Sequence, residues 1–144
     1  MKIPAIEEQP KTRVISTGDK RILVIGKRSP LLEGVADLLQ LSGYSVEMTS
    51  NWVETPYALN GNPPNLAVID LSSFSSDGHH LSEQIHTTPR WTDVPILFVS
   101  FSGDDRIREL QRWSSKSNDQ RLQFYAHTVL SMDGLLEKVR TCLA

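Results

Sequence analysis

Several features that define other protein classes are missing from this chain of 144 residues. It has one cysteine, Cys142, so no disulfide can form within the chain. No apolar run reaches the roughly 20 residues that span a bilayer, and the N-terminal stretch lacks the apolar core of a signal peptide. We therefore expect a cytoplasmic protein with no membrane partner.

Basic residues are unevenly distributed along the chain. The first 28 residues carry seven of the fifteen Lys and Arg residues, and none occurs between Arg28 and Arg90. A nucleic-acid-binding domain presents a basic surface or a basic helix, which this distribution does not provide. We therefore expect no nucleic-acid partner.

Sequence motifs of nucleotide binding and of nucleophilic catalysis are also missing. The chain contains no Walker A, G-x-G-x-x-G or G-x-S-x-G motif. His79 and His80 are adjacent, but adjacent helical residues point in different directions and no second ligand pair has suitable spacing. We expect no enzymatic activity, no cofactor and no metal site.

Apolar runs of strand length alternate with segments of helical periodicity from Arg21 onward. This alternation predicts an α/β fold, a doubly wound five-stranded parallel sheet of flavodoxin-like order. Strands are predicted over 21–25, 44–49, 66–70, 95–100 and 122–126. Helices are predicted from Pro30 to Gly43, near 51–60, from after Gly78 to roughly His86, over about 104–113, and over 132–143. Residues 1–20 show no sustained period and are predicted to be a tail or linker, so that 21–144 form one domain.

The first helix has clear start and stop signals. Ser29 suits the N-cap, Pro30 suits the first helical position, and Gly43 suits the C-cap. Helical spacing predicts a buried stripe formed by Leu31, Val35, Leu38, Leu39 and Ser42.

The loop after the first strand, Gly26-Lys27-Arg28, is basic. Ligand crevices of parallel α/β sheets lie at the carboxyl ends of the strands, so this loop is expected to border a site.

Four spaced motifs suggest a family. They are the strand I-L-V-I with a helix ending in Leu-Ser-Gly-Tyr, the strand N-L-A-V-I-D with Asp77-Gly78 a short loop later, V-P-I-L-F-V-S, and Tyr125 before S-M-D-G-L-L-E-K-V-R. With these motifs the chain resembles the receiver domain of two-component response regulators over nearly all of residues 21–143. The resemblance implies the flavodoxin-like (βα)5 receiver fold.

In a working receiver, the resemblance implies, an acidic pair and an acceptor aspartate hold Mg²⁺, while a hydroxyl and a lysine bind the phosphoryl oxygens. Phosphoryl transfer needs these cations because negative charge gathers on the transferred group. Carried over by position, Asp70 matches the acceptor aspartate and Ser100 the hydroxyl residue. Tyr125 matches the aromatic residue that switches conformation.

The other site positions depart from the family pattern. The acidic pair falls on Gly26 and Lys27, and the lysine falls on Thr128, or on His127 after a one-residue slip. Phe101 stands where the family has a small residue, and Phe74 replaces a common proline. These departures indicate an atypical receiver, a pseudo-receiver that acts through protein-protein interaction without Mg-dependent aspartyl phosphorylation. Its expected partners are a signalling protein such as a kinase or an output domain, and a second copy bound through the face from the fourth to the fifth helix.

Two other functions stay open on the sequence. One is a genuine response regulator that a histidine kinase phosphorylates at Asp70 with Mg²⁺. The other is a sensor of a small ligand bound among Ser72–Ser76, Ser100 and Lys27. Asp70 itself is either a solvated or ion-paired remnant, or a carboxylate covered by Lys27 or Arg28 as a built-in cation.

Overall fold

Five parallel strands form one sheet in the order β2-β1-β3-β4-β5. In this computed structural model the described residues are 20–51, 63–71, 78–100, 108–109, 112, 116, 121–126 and 132–144. The strands are β1 (Arg21–Ile25), β2 (Ser45–Thr49), β3 (Leu66–Asp70), β4 (Ile96–Ser100) and β5 (Leu122–Ala126). The helices are α1 (Pro30–Leu41), α2 (Gly78–His86) and α3 (Met132–Leu143). The predicted α/β fold is therefore confirmed.

The three central strands are buried along almost their whole length, because helices cover both faces of a parallel sheet. One face packs against Ile85 of α2 and against Trp91, which is fully buried. The other face packs against Leu32, Val35 and Leu39 of α1 and against residues of α3. Alternate residues of each strand therefore belong to different halves of the core.

Helix α1 begins at the predicted Pro30 but ends at Leu41 with Ser42 as its C-cap, one residue before the predicted C-cap Gly43. The Ser29 hydroxyl accepts a hydrogen bond from the Leu32 backbone N–H at 3.1 Å. Gly43 has a φ of 102°, a left-handed conformation that glycine adopts without steric cost. The predicted buried stripe is wrong at Leu31, which is 38% exposed, while Leu32 is fully buried. The spacing 32, 35, 39 follows the helical period as well as the predicted one does, so periodicity alone did not choose between the two leucines.

Helix α2 begins at Gly78, one residue before its predicted start, and ends at the predicted His86, while the bounds of α3 match the predicted 132–143. Arg108, Glu109 and Arg112 are helical within the predicted fourth helix. The predicted helix near 51–60 and the predicted tail 1–20 lie outside the described residues, apart from Lys20 and Asn51. Across the part of the chain that the structure describes, none of the helices has the length and apolar character needed to cross a membrane.

Candidate functional site

The carboxyl ends of the central strands bring several of the predicted site residues to one edge of the sheet. Asp70 is the last residue of β3 and lies opposite Val99 of β4. Ile25 lies opposite Ile69, so Gly26 follows at the level of Asp70. The Gly26 backbone N–H still donates to the Thr49 carbonyl at 2.9 Å, which keeps this residue in line with the sheet. Gly26 and Asp70 are thus neighbours on adjacent strands.

The Asp70 side chain is buried, with 5% of its surface exposed. By strand alternation it lies on the same face of β3 as Leu66 and Val68, whose side chains pack toward α1 and α3. Gly26, at the same level on β1, contributes no side chain to this face. The carboxyl group therefore lies at the edge where the strands end, beside Gly26, which has no Cβ.

Ser100 ends the neighbouring strand β4 and is fully buried. Its hydroxyl has no hydrogen-bond partner among the residues that the structure describes. By alternation it shares the face of Ile96 and Phe98, which pack toward α2. The two retained receiver residues are therefore one register position apart and on opposite faces of the sheet.

The basic loop after β1 carries two positive charges, on Lys27 and Arg28. Lys27 and Arg28 are both exposed, whereas Gly26 is buried. The Arg28 guanidinium forms an ion pair with Glu33 in the first turn of α1, with 2.9 Å between Nη1 and Oε2. Of the two cations expected as possible cover for Asp70, Arg28 is therefore paired with a carboxylate of α1 instead. A crevice of about 280 Å³ lies beside the loop, between Gly26 and Ser50.

The resemblance to receiver domains implies a magnesium ion beside Asp70. Magnesium takes hard oxygen ligands, chiefly carboxylates and water. The two positions that would supply an acidic pair hold Gly26, without a side chain, and Lys27, with a positive charge. Among the described residues no group of three or more His, Cys, Asp or Glu is placed to hold a metal. The residues present do not fit this ion.

Other predicted site residues lie outside the described part of the chain. These are Phe101, Thr128, His127, and the serines and Phe74 between residues 72 and 76. Tyr125 belongs to β5, where it lies opposite Val99 in the backbone register. Glu33 was not predicted as part of this region. An acidic residue in the first helical turn, five positions after an arginine, was the available signal.

The fold is similar to that of several solved receiver domains. A CheY-like receiver domain protein from Methanospirillum hungatei JF-1 superposes with a TM-score of 0.64, at 24% identity, over 86% of this chain and 93% of that one. The HemR receiver domain from Leptospira biflexa gives a TM-score of 0.67, at 21% identity, over 88% and 95%. The chain therefore has the fold of a receiver domain. CheY4 of Vibrio cholerae, at 14% identity and a TM-score of 0.66, has the same architecture.

Sequence comparison finds longer proteins that are similar to part of this chain. The response regulator MprA of Mycobacterium sp. strain KMS is 31% identical over 80 residues, which are 56% of this chain and 34% of the relative. The phosphate regulon transcriptional regulatory protein PhoB of Pseudomonas aeruginosa is 23% identical over 94 residues, 64% of this chain and 41% of that protein. The matched part thus spans well under half the length of these curated relatives. No family model matches the chain.

Proposed function

We propose that this receiver domain works in two-component-type signal transduction through protein-protein contacts, without Mg-dependent phosphorylation of Asp70. The observation that carries the proposal is the register of β1 and β3. It puts Gly26 at the level of Asp70, followed at once by Lys27, where a phosphorylatable receiver needs acidic metal ligands.

The positive charge of Lys27 weakens magnesium binding further than the loss of the carboxylate ligands alone would. A receiver carboxylate binds Mg²⁺ with help from neighbouring carboxylates, which offset the cost of removing water from the ion. A lysine at this position repels the ion instead. Two unit charges 4 Å apart interact by roughly 1 kcal/mol in water and about 4 kcal/mol near a protein surface, and the double charge of Mg²⁺ doubles the repulsion.

The position of Ser100 supports the same proposal. A hydroxyl that binds a phosphoryl group on Asp70 must turn toward the carboxyl group. The Ser100 side chain is fully buried, and strand alternation puts it on the α2 face of the sheet, opposite to Asp70. Engaging it would require a rearrangement at the end of β4.

A domain of this kind has no turnover of its own and acts by binding. The proteins that resemble part of its sequence are a response regulator and a transcriptional regulator of greater length. We accordingly propose a signalling protein in the cytoplasm as partner, a kinase or an output domain. Within this proposal, residues 1–20 form a tail or linker, 21–144 form the receiver domain, and the face from the predicted helix over 104–113 to α3 is the surface for a second copy.

Amide NMR spectra recorded during addition of Mg²⁺, and then of Mg²⁺ with beryllofluoride, test the proposal. Beryllofluoride mimics a phosphoryl group on an aspartate. We expect no saturable shifts at Asp70, Ser100 or Tyr125 in the natural sequence. Saturable shifts at all three would show a working phosphoacceptor and would overturn the proposal.

A matched variant makes a negative result informative. The double substitution Gly26→Asp with Lys27→Asp restores an acidic pair beside Asp70. We expect this variant to show saturable Mg²⁺ shifts at the ends of β1 and β3. The same titration of Lys27→Met separates removal of the repelling charge from restoration of ligands, and should give a much weaker response than the double variant.

A further inference from the structure

The burial of Asp70 raises the question of which charge stabilises it. Removing an ionised carboxylate from water costs several kcal/mol unless a counter-charge and hydrogen bonds compensate. Asp70 has 5% of its surface exposed and lies among strands whose side chains are apolar. In a metal-binding receiver the divalent ion would supply the positive charge, but the residues around this carboxyl group do not fit that ion.

Few basic residues in the sequence can supply the positive charge near Asp70 in place of a divalent ion. Asp70 lies at the edge where all five strands end, so a cation near it must come from the loops at that edge. Residues 50–62, 71–77 and 127–131, which follow β2, β3 and β5, contain no Lys or Arg. The loop after β4 contributes Arg106, and the loop after β1 contributes Lys27 and Arg28.

Of these three cations, Lys27 has the most direct access. Arg28 is held by Glu33 at 2.9 Å. Arg106 is six residues beyond the end of β4 and is outside the described residues. Lys27 comes one residue after the position level with Asp70 on the adjacent strand, and adjacent strands are about 4.8 Å apart. A lysine side chain, a flexible four-carbon stem with a terminal ammonium, spans such a distance.

The missing side chain at residue 26 provides the space. A residue with a Cβ at this level of β1 would stand beside the Asp70 carboxyl group on the same face of the sheet. Gly26 is buried and has no Cβ, so the stem of the next residue can turn back toward Asp70. Gly26 and Lys27 act together in this arrangement, one by leaving space and the other by supplying charge.

We infer that the Lys27 ammonium is the fixed counter-ion of Asp70 and takes the place of the divalent cation of a phosphorylatable receiver. The inference rests on the proposed function, because it explains how the acceptor position is stabilised when no metal binds. The domain is then regulated by partners that bind or displace Lys27, because the charge at Asp70 is no longer changed by phosphorylation from a kinase.

A double-mutant cycle tests the pair. Urea unfolding is measured for the natural sequence, Lys27→Met, Asp70→Asn and the double variant. If the two side chains interact, the double variant unfolds at a higher urea concentration than the sum of the single effects predicts. We expect a non-additivity of about tenfold in the unfolding equilibrium constant, equivalent to about 1.4 kcal/mol.

Arg28→Met is the matched control, since it removes a neighbouring cation whose partner is Glu33. Combined with Asp70→Asn it should be additive. Additivity in the Lys27 cycle as well would overturn the inference. It would leave the proposed function intact, which fails only if the natural domain responds to Mg²⁺ and beryllofluoride.

A second measurement does not depend on the stability of Asp70→Asn. Away from residues 25–29, the amide NMR shifts of the single variant Lys27→Met should be largest at Asp70 and at Val99, its neighbour across the β3–β4 register. Arg28→Met should instead shift the first turn of α1 around Glu33. If Lys27→Met leaves Asp70 and Val99 unchanged, Lys27 is not the counter-ion.

Discussion

Arg28 and Glu33 form an ion pair across the junction of the β1 loop and α1, with 2.9 Å between guanidinium and carboxylate. The pair keeps one of the two cations of the loop on the helix, away from the carboxyl edge of β3. Both side chains are well exposed, at 71% and 45% of their surface. The ion pair therefore fixes the position of the Arg28 side chain and contributes little to the free energy of unfolding.

Glu33→Gln is expected to lower the free energy of unfolding by less than about 1 kcal/mol, because solvent screens an exposed ion pair. Urea unfolding monitored by the tryptophan fluorescence or by circular dichroism measures the change. A loss well above this value would mean that Glu33 also supports the core.

Ser100→Ala is expected to leave the free energy of unfolding unchanged within about 0.5 kcal/mol, or to raise it. The buried hydroxyl has no hydrogen-bond partner among the described residues, so its removal relieves a desolvation cost. Ser29→Ala is the matched control, because the Ser29 hydroxyl caps α1, and should cost about 1 kcal/mol. Equal losses for the two variants would show that Ser100 has a partner.

Leu39→Ala and Leu41→Ala compare a buried and an exposed leucine of the same helix. Leu39 is fully buried and Leu41 is 88% exposed. We expect a loss of about 2 to 5 kcal/mol for the first, because truncation leaves a cavity, and less than about 0.5 kcal/mol for the second. Thermal and urea unfolding of both variants would measure the contrast, and a large effect of Leu41→Ala would contradict it.

Burial raises the pKa of the Cys142 thiol above its ordinary value, and the nearby Lys138 opposes part of this rise. The thiolate is the reactive form, so alkylation by iodoacetamide at pH 8 should be slower in the folded protein than in urea. The rate difference should narrow as the pH rises through the pKa of the folded state. Equal rates at pH 8 would contradict the assigned burial.

Most of the fold was predictable from Arg21 onward. The strand bounds agree within one residue, because each buried strand of a parallel sheet is a short apolar run flanked by turn residues. The choice between Leu31 and Leu32 was not predictable, since both satisfy helical spacing and only the packing of α1 on the sheet distinguishes them.

The candidate site was less predictable than the fold. That Asp70 and Gly26 become neighbours follows from the strand order, which the sequence pattern indicates. Ser100 lies on the opposite face from Asp70 because β3 and β4 pair with Asp70 opposite Val99, one residue before Ser100. The local sequence does not indicate this register. The pairing of Arg28 with Glu33 depends on how the loop enters α1.

The pairing of β1 with β3 also has a consequence for how the domain folds. Ile22 pairs with Leu66, a sequence separation nearly twice that between Arg21 and its partner Ser45 on β2. Closing the longer loop costs more chain entropy, and contacts distant in sequence slow folding. The unit β1–α1–β2 can therefore assemble before β3 is inserted beside it. Gly26 and Asp70 become neighbours only at that insertion, so partly folded forms of the chain do not present this site to a partner.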